Sequence, residues 1–180
     1  MISRRSIVRR GACLAALLAV SPLAGCIGER DLSTGEPSFY RSLATKDAEV
    51  DATMAASMIS GYRTNNGLTP VTIDPELMKL AEAQAQAMAS RDTLSHDVAR
   101  SFRDRLKGGG YRAHTAAENV GAGYHTLAQA FSGWRDSPGH RANMLLKGAT
   151  RMGIAAAYAP KSKYKVFWAL ILAEPEEKRS

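Results

Sequence analysis

Cysteine is almost absent from this 180-residue chain: Cys13 and Cys26 are the only two, and both lie within the first 26 residues. A domain built from later residues therefore has no disulfide, no thiolate metal ligand and no cysteine nucleophile. Strong charge of one sign is also missing. The formal +7 owes four charges to Arg4, Arg5, Arg9 and Arg10, in a leader without an acid; beyond residue 25 there are 20 basic and 17 acidic residues. That near balance does not indicate a nucleic-acid-binding domain. The apolar leader segment GACLAALLAVSPLA is about 14 residues long, against about 20 for a helix that crosses a bilayer. HExxH and GxSxG do not occur, and Gly108-Gly109-Gly110 has neither the strand nor the lysine of a phosphate loop. What the chain does have is 45% apolar residues, enough for a real core in a single domain.

The leader has the order of an export signal: a basic MISRRSIVRR, the apolar stretch, then Leu23-Ala24-Gly25-Cys26. This end resembles a bacterial lipoprotein processing site, with Cys26 as the acylated first mature residue. A thiolate is the nucleophile that accepts such a group, and several acyl chains at roughly 0.8 kcal/mol per buried methylene hold a protein on a membrane. Ser3-Arg4-Arg5 also resembles a twin-arginine signal, so both export routes stay open. Ile27 is not the aspartate of an inner-membrane retention signal, which allows an outer membrane. The expected organisation is a signal over 1–25, the lipidated cysteine and a polar tether over 26–46, a folded domain over 47–175 and a tail over 176–180.

Within the domain, Val50, Met54, Met58, Ile59 and Tyr62 have helical spacing, ended by Asn65-Asn66-Gly67. Residues 68–73 read as an extended connector. Asp74-Pro75-Glu76 combines an N-cap acceptor, a first-turn proline and an acid at the positive end of the helix dipole, and predicts a helix to Arg91. Ser101 is placed to cap a short helix FRDRLKG, closed by the three glycines. A further helix is predicted from Thr126, with Leu127, Ala130, Phe131 and Trp134 on one face. It should end in a turn at Asp136-Ser137-Pro138-Gly139. Met152, Ile154, Ala156 and Tyr158 alternate as in a strand. The run YKVFWALILA over 164–173 suits a strand covered on both faces. Helices followed by an antiparallel hairpin predict an α+β fold, with helices on both sides of a central sheet.

Two histidines stand out by context: His96 in a loop after a helix and His140 after a Pro-Gly pair. Glu118 lies in an apolar segment beside Ala116, Ala117 and Val120, where a carboxylate is costly to bury without a partner. Two imidazoles could supply that partner, as cations or through a shared metal. His114 and His125 are read as structural.

Ser95-His96, Ala117-Glu118-Asn119-Val120-Gly121, Gly133-Trp134 and Ser137-Pro138-Gly139-His140-Arg141-Ala142-Asn143 together resemble the CAP superfamily. It comprises the cysteine-rich secretory, antigen 5 and pathogenesis-related 1 proteins and is also called the SCP domain. The likeness is to the bacterial branch without disulfides and spans roughly residues 50–173. It implies a three-layer α-β-α sandwich with a central antiparallel sheet, and an open cleft lined by two histidines, His96 and His140, and by two acids, one of them Glu118. The second acid of the eukaryotic pattern stands three residues after the tryptophan; Ser137 holds that place here, with Asp136 adjacent. Zinc binding in some relatives makes His96 and His140 the expected ligands. With two protein nitrogens such a site is open and weaker than a structural zinc centre.

The resemblance implies a module that binds a lipidic, amphipathic or other envelope ligand in or beside the cleft. One alternative is zinc-dependent, protease-like hydrolysis, with Glu118 as general base. Another is a non-catalytic scaffold for peptidoglycan or an envelope protein. Trp134 is read as packing under the cleft. Arg141 is a candidate to hold an acidic ligand or brace Glu118 or Asp136, and Asn119 and Asn143 are candidate supports for the site loops.

Overall fold

The structure, a computed structural model, describes residues 35–176. The leader, the expected lipidation site Cys26 and residues 177–180 lie outside the described residues. After a 3₁₀ turn (Ser38–Tyr40) come α1 (Ala52–Asn65), β1 (Thr72–Ile73), α2 (Pro75–Arg91), α3 (Phe102–Gly108) and β2 (Ala113–Ala122). α4 (Leu127–Asp136), α5 (Pro138–Met144), β3 (Arg151–Tyr158) and β4 (Val166–Pro175) complete the order. Among the described residues no helix is long and apolar enough to cross a membrane.

The caps act as their residue types predict. The Asp74 carboxylate accepts from the amides of Glu76 and Leu77, Ser101 Oγ from the amide of Asp104, and Thr126 Oγ from that of Gln129. Asp51 caps α1 and is itself held by Ser38 Oγ at 2.6 Å.

The sheet has the order β1-β3-β4-β2. β4 is its centre. Because successive strand residues face opposite sides, Trp168, Leu170 and Leu172 join the core under α1 and α4, while Phe167, Ala169 and Ile171 join the core under α2. The expected α-β-α sandwich is present, and the apolar run is long for the reason expected: both faces are covered.

Four expectations need correction. Ala113–Ala122 forms a ten-residue strand where only a short apolar segment was expected. Its alanines, glutamate and asparagine are poor strand formers, and the strand exists because it pairs antiparallel along β4. The sheet is not wholly antiparallel, since Thr72 and Ile73 pair parallel with β3. Pro138-Gly139 does not close a turn: Ser137 alone separates two helices, and Pro138 opens α5 at the position where its missing amide costs nothing. Lastly, order begins before Asp47. Leu43 is buried in the core and its amide donates to the His125 carbonyl.

Arg63 gives no signal in the sequence, yet it is fully buried in α1. Its guanidinium donates to the carbonyls of Thr69, Met144, Leu146 and Ala149 at 2.8–2.9 Å, and burial lowers its pKa. It thereby ties α1 to the C-terminal end of α5. Arg63→Met is expected to lose about 3 kcal/mol or more in urea unfolding, because four carbonyls, those of Met144 and Ala149 on buried residues, lose a charged donor.

Candidate functional site

Alternation along β2 sends Glu118 toward the α2/α3 layer, with Ala116 and Val120. There its side chain is 1% exposed. Oε2 takes two partners at 2.9 Å each, Nη2 of Arg105 from α3 and Nδ1 of His96 from the loop between α2 and α3. A guanidinium can only donate, so Oε2 acts as acceptor and the His96 Nδ1 carries the proton. The His96 side chain is 50% exposed, and with the proton on Nδ1 its Nε2 carries the free lone pair. Glu118 Oε1 and Arg105 Nη1 are buried with no partner among the described residues.

Asn119 points the opposite way, toward α5. Its Nδ2 donates to the His140 carbonyl at 2.9 Å, and Asn143 Nδ2 donates to Asn119 Oδ1 and to the Glu118 carbonyl. Both asparagines thus hold the site together as expected. β2 is an edge strand, so the helix bearing His140 and the loop bearing His96 meet around it. Burial, and then repulsion between the two imidazoles when both are protonated, lower the pKa of His140 and favour its neutral form. Its contribution to stability is present above the unfolded pKa and is lost as pH falls through the folded one.

Other expected residues do not converge here. Asp136 is exposed and paired with Arg135 at 2.8 Å, an arrangement that lowers its pKa. It makes no hydrogen bond to His96, Glu118 or His140 among the described residues. Ser137 joins α4 to α5 without a side-chain cap bond. Arg141 is exposed, and its charge acts on Asp136; the brace on Glu118 is Arg105. Trp134 packs edge-on to Trp168, in keeping with its expected core role.

Arg105 was missed, although a signal existed. With Phe102 and Leu106 it occupies one face of a seven-residue helix, so a charge stands on the apolar stripe. Two concavities lie apart from this cluster. One of 1180 Å³ and one of 560 Å³ share Gly110, Tyr111, Arg112 and His114, and neither is lined by His96, Glu118 or His140. At the site itself a half-exposed imidazole, His96, stands over a buried carboxylate, Glu118. Among the described residues, no three or more histidine, cysteine or carboxylate side chains are gathered to hold a metal. A zinc ion held by His96 and His140 would have two imidazole donors, fewer than a closed structural site.

Residues 56–172 match the family described as the cysteine-rich secretory protein family, CAP. The uncharacterized protein YkwD of Bacillus subtilis is 32% identical over 124 residues, covering 62% of this chain and 48% of YkwD. The chain thus spans about half the length of that relative. An extracellular SCP-domain protein of Bacillus anthracis superposes with a TM-score of 0.59 at 24% identity, over 67% of this chain and 39% of that one. An outer surface protein of Borrelia burgdorferi gives 0.62 at 17% identity, over 72% and 98%. At these identities the two superpositions show the shared fold.

Proposed function

The chain belongs to the CAP family, and from that premise we propose an exported, envelope-bound module that binds a ligand without turning it over. The ligand would meet the His96/His140 face, and acylated Cys26 would hold the domain at the membrane. The leader motif and the extracellular or outer-surface relatives support export.

One observation carries the binding reading over hydrolysis: the Glu118 carboxylate is occupied. A general base needs a lone pair within reach of water or substrate. Here one oxygen serves Arg105 and His96, and the other is closed off from solvent. Glu118 is thereby placed to hold His96 rather than to face solvent.

His96 Nε2 and His140 would hold zinc, which when bound would supply a Lewis-acidic anchor for an oxygen of the ligand. The exposed large apolar side chains among the described residues, Tyr40, Ile73 and Leu94, are scattered. Recognition therefore rests on a polar group facing the imidazoles, and an amphipathic lipid qualifies through its head.

Zinc is expected to raise the melting temperature of the purified protein, by linkage worth about 2.7 kcal/mol at a hundredfold excess over Kd. The double variant His96→Ala, His140→Ala should lose that response. Native mass spectrometry after mild extraction should show a retained envelope ligand that the double variant has lost. An equal zinc response in the double variant, with no ligand retained by either protein, overturns the reading.

A further inference from the structure

His96 lies in an irregular segment, residues 92–101, that joins α2 to α3. No helix or strand of its own orients its ring. Two neighbouring helices do so instead. From α2, Gln84 Nε2 donates to the Ser95 carbonyl at 2.7 Å and to the His96 carbonyl at 3.2 Å. From α3, Arg105 Nη2 donates to the same His96 carbonyl at 3.0 Å and to Glu118 Oε2 at 2.9 Å. A single guanidinium nitrogen thus fixes both the backbone of residue 96 and the carboxylate that accepts from its ring N–H.

We propose that Gln84 and Arg105, which lie outside the motif that marks the family, are positioning residues for His96. Together they keep its ring as the Nδ1–H tautomer, with the free lone pair on Nε2. The inference rests on the reading of His96 as a ligand-facing donor.

The cost of the arrangement argues for this role over simple stabilisation. Gln84 Oε1, Arg105 Nη1 and Glu118 Oε1 are all buried without a partner among the described residues. Apolar side chains of similar volume would fill such a space without stranding three polar atoms. What the polar set achieves, and an apolar set cannot, is to hold two successive carbonyls and one ring nitrogen in fixed directions. Partners behind a ligating histidine set its tautomer and orientation in just this way.

The test uses Gln84→Met, which keeps the size and removes the donor, and Arg105→Lys, which keeps the charge but not the fork. Long-range ¹⁵N–¹H correlation of the imidazoles in the purified protein reads the tautomer directly. Wild-type His96 is expected in the Nδ1–H form, and each folded variant should show a mixed population. Zinc alone, as the probe, should bind the variants about tenfold more weakly. A pure Nδ1–H ring in both variants, with unchanged zinc affinity, overturns the proposal and leaves the binding reading intact. A tautomer shift in the variants, with no zinc binding by the wild type, upholds positioning and removes zinc from the binding reading. Should one variant fail to fold, the other still decides.

Discussion

Arg105→Leu is expected to cost about 3–5 kcal/mol of folding stability, because it leaves the Glu118 carboxylate buried with its one full charge partner gone. Nothing else among the described residues takes over that pairing: His96 is half in water, and Arg141 is exposed. Urea unfolding measures the loss as a lower midpoint at similar slope. The double variant Arg105→Leu, Glu118→Leu should recover most of it, since replacing both members of a buried pair by apolar groups is often close to neutral. It should not recover the zinc response, because His96 then lacks the acceptor on Nδ1. A single-variant loss below about 1 kcal/mol would place the pair in the class of exposed, weakly coupled ions and contradict the burial described above.

Gly153→Ala is expected to damage the fold as severely, for a steric reason. Gly153 lies in β3 where α2 crosses it, and a Cβ there would overlap the Leu77 carbonyl and the Met78 amide. Those are backbone atoms of a 17-residue helix, so no rotamer change relieves the clash. The helix must lift from the sheet, opening the core that holds Leu77, Ala81 and Phe167. A loss of about 3 kcal/mol or more is expected, the upper range for overpacking. Gly61 is the control: it lies in α1, and a Cβ added there would meet nothing within 4 Å. Gly61→Ala should stabilise by about 0.5–1 kcal/mol through helix propensity alone. Similar midpoints for the two variants would mean that α2 does not rest on β3 at this point.

These contacts separate what could be read locally from what could not. The caps at Asp74, Ser101 and Thr126 were legible because a cap joins residues two or three apart. β4 was legible because covering both faces of a strand requires an unbroken apolar run. β2 was not, since a strand of alanine, glutamate and asparagine is made by the partner it lies against. Arg63 gave no sign for a related reason. A buried arginine shows itself by its acceptors, and the carbonyls of Met144 and Ala149 are more than 80 residues from Arg63. Leu43 stands alone as a large apolar side chain in a polar stretch, and it joins the core through residues far along the chain.

The order of the motifs around His96, Glu118 and His140 determined the family, and with it the three layers and the identity of the imidazoles, because those depend on residue type and spacing along the chain. The tertiary structure decided the role of each group. It closed Glu118 off behind Arg105, turned Asp136 to Arg135 and gave the hold on His96 to Gln84. Which donor meets which acceptor depends on distances through space between helices that share no local pattern, and only packing sets those distances.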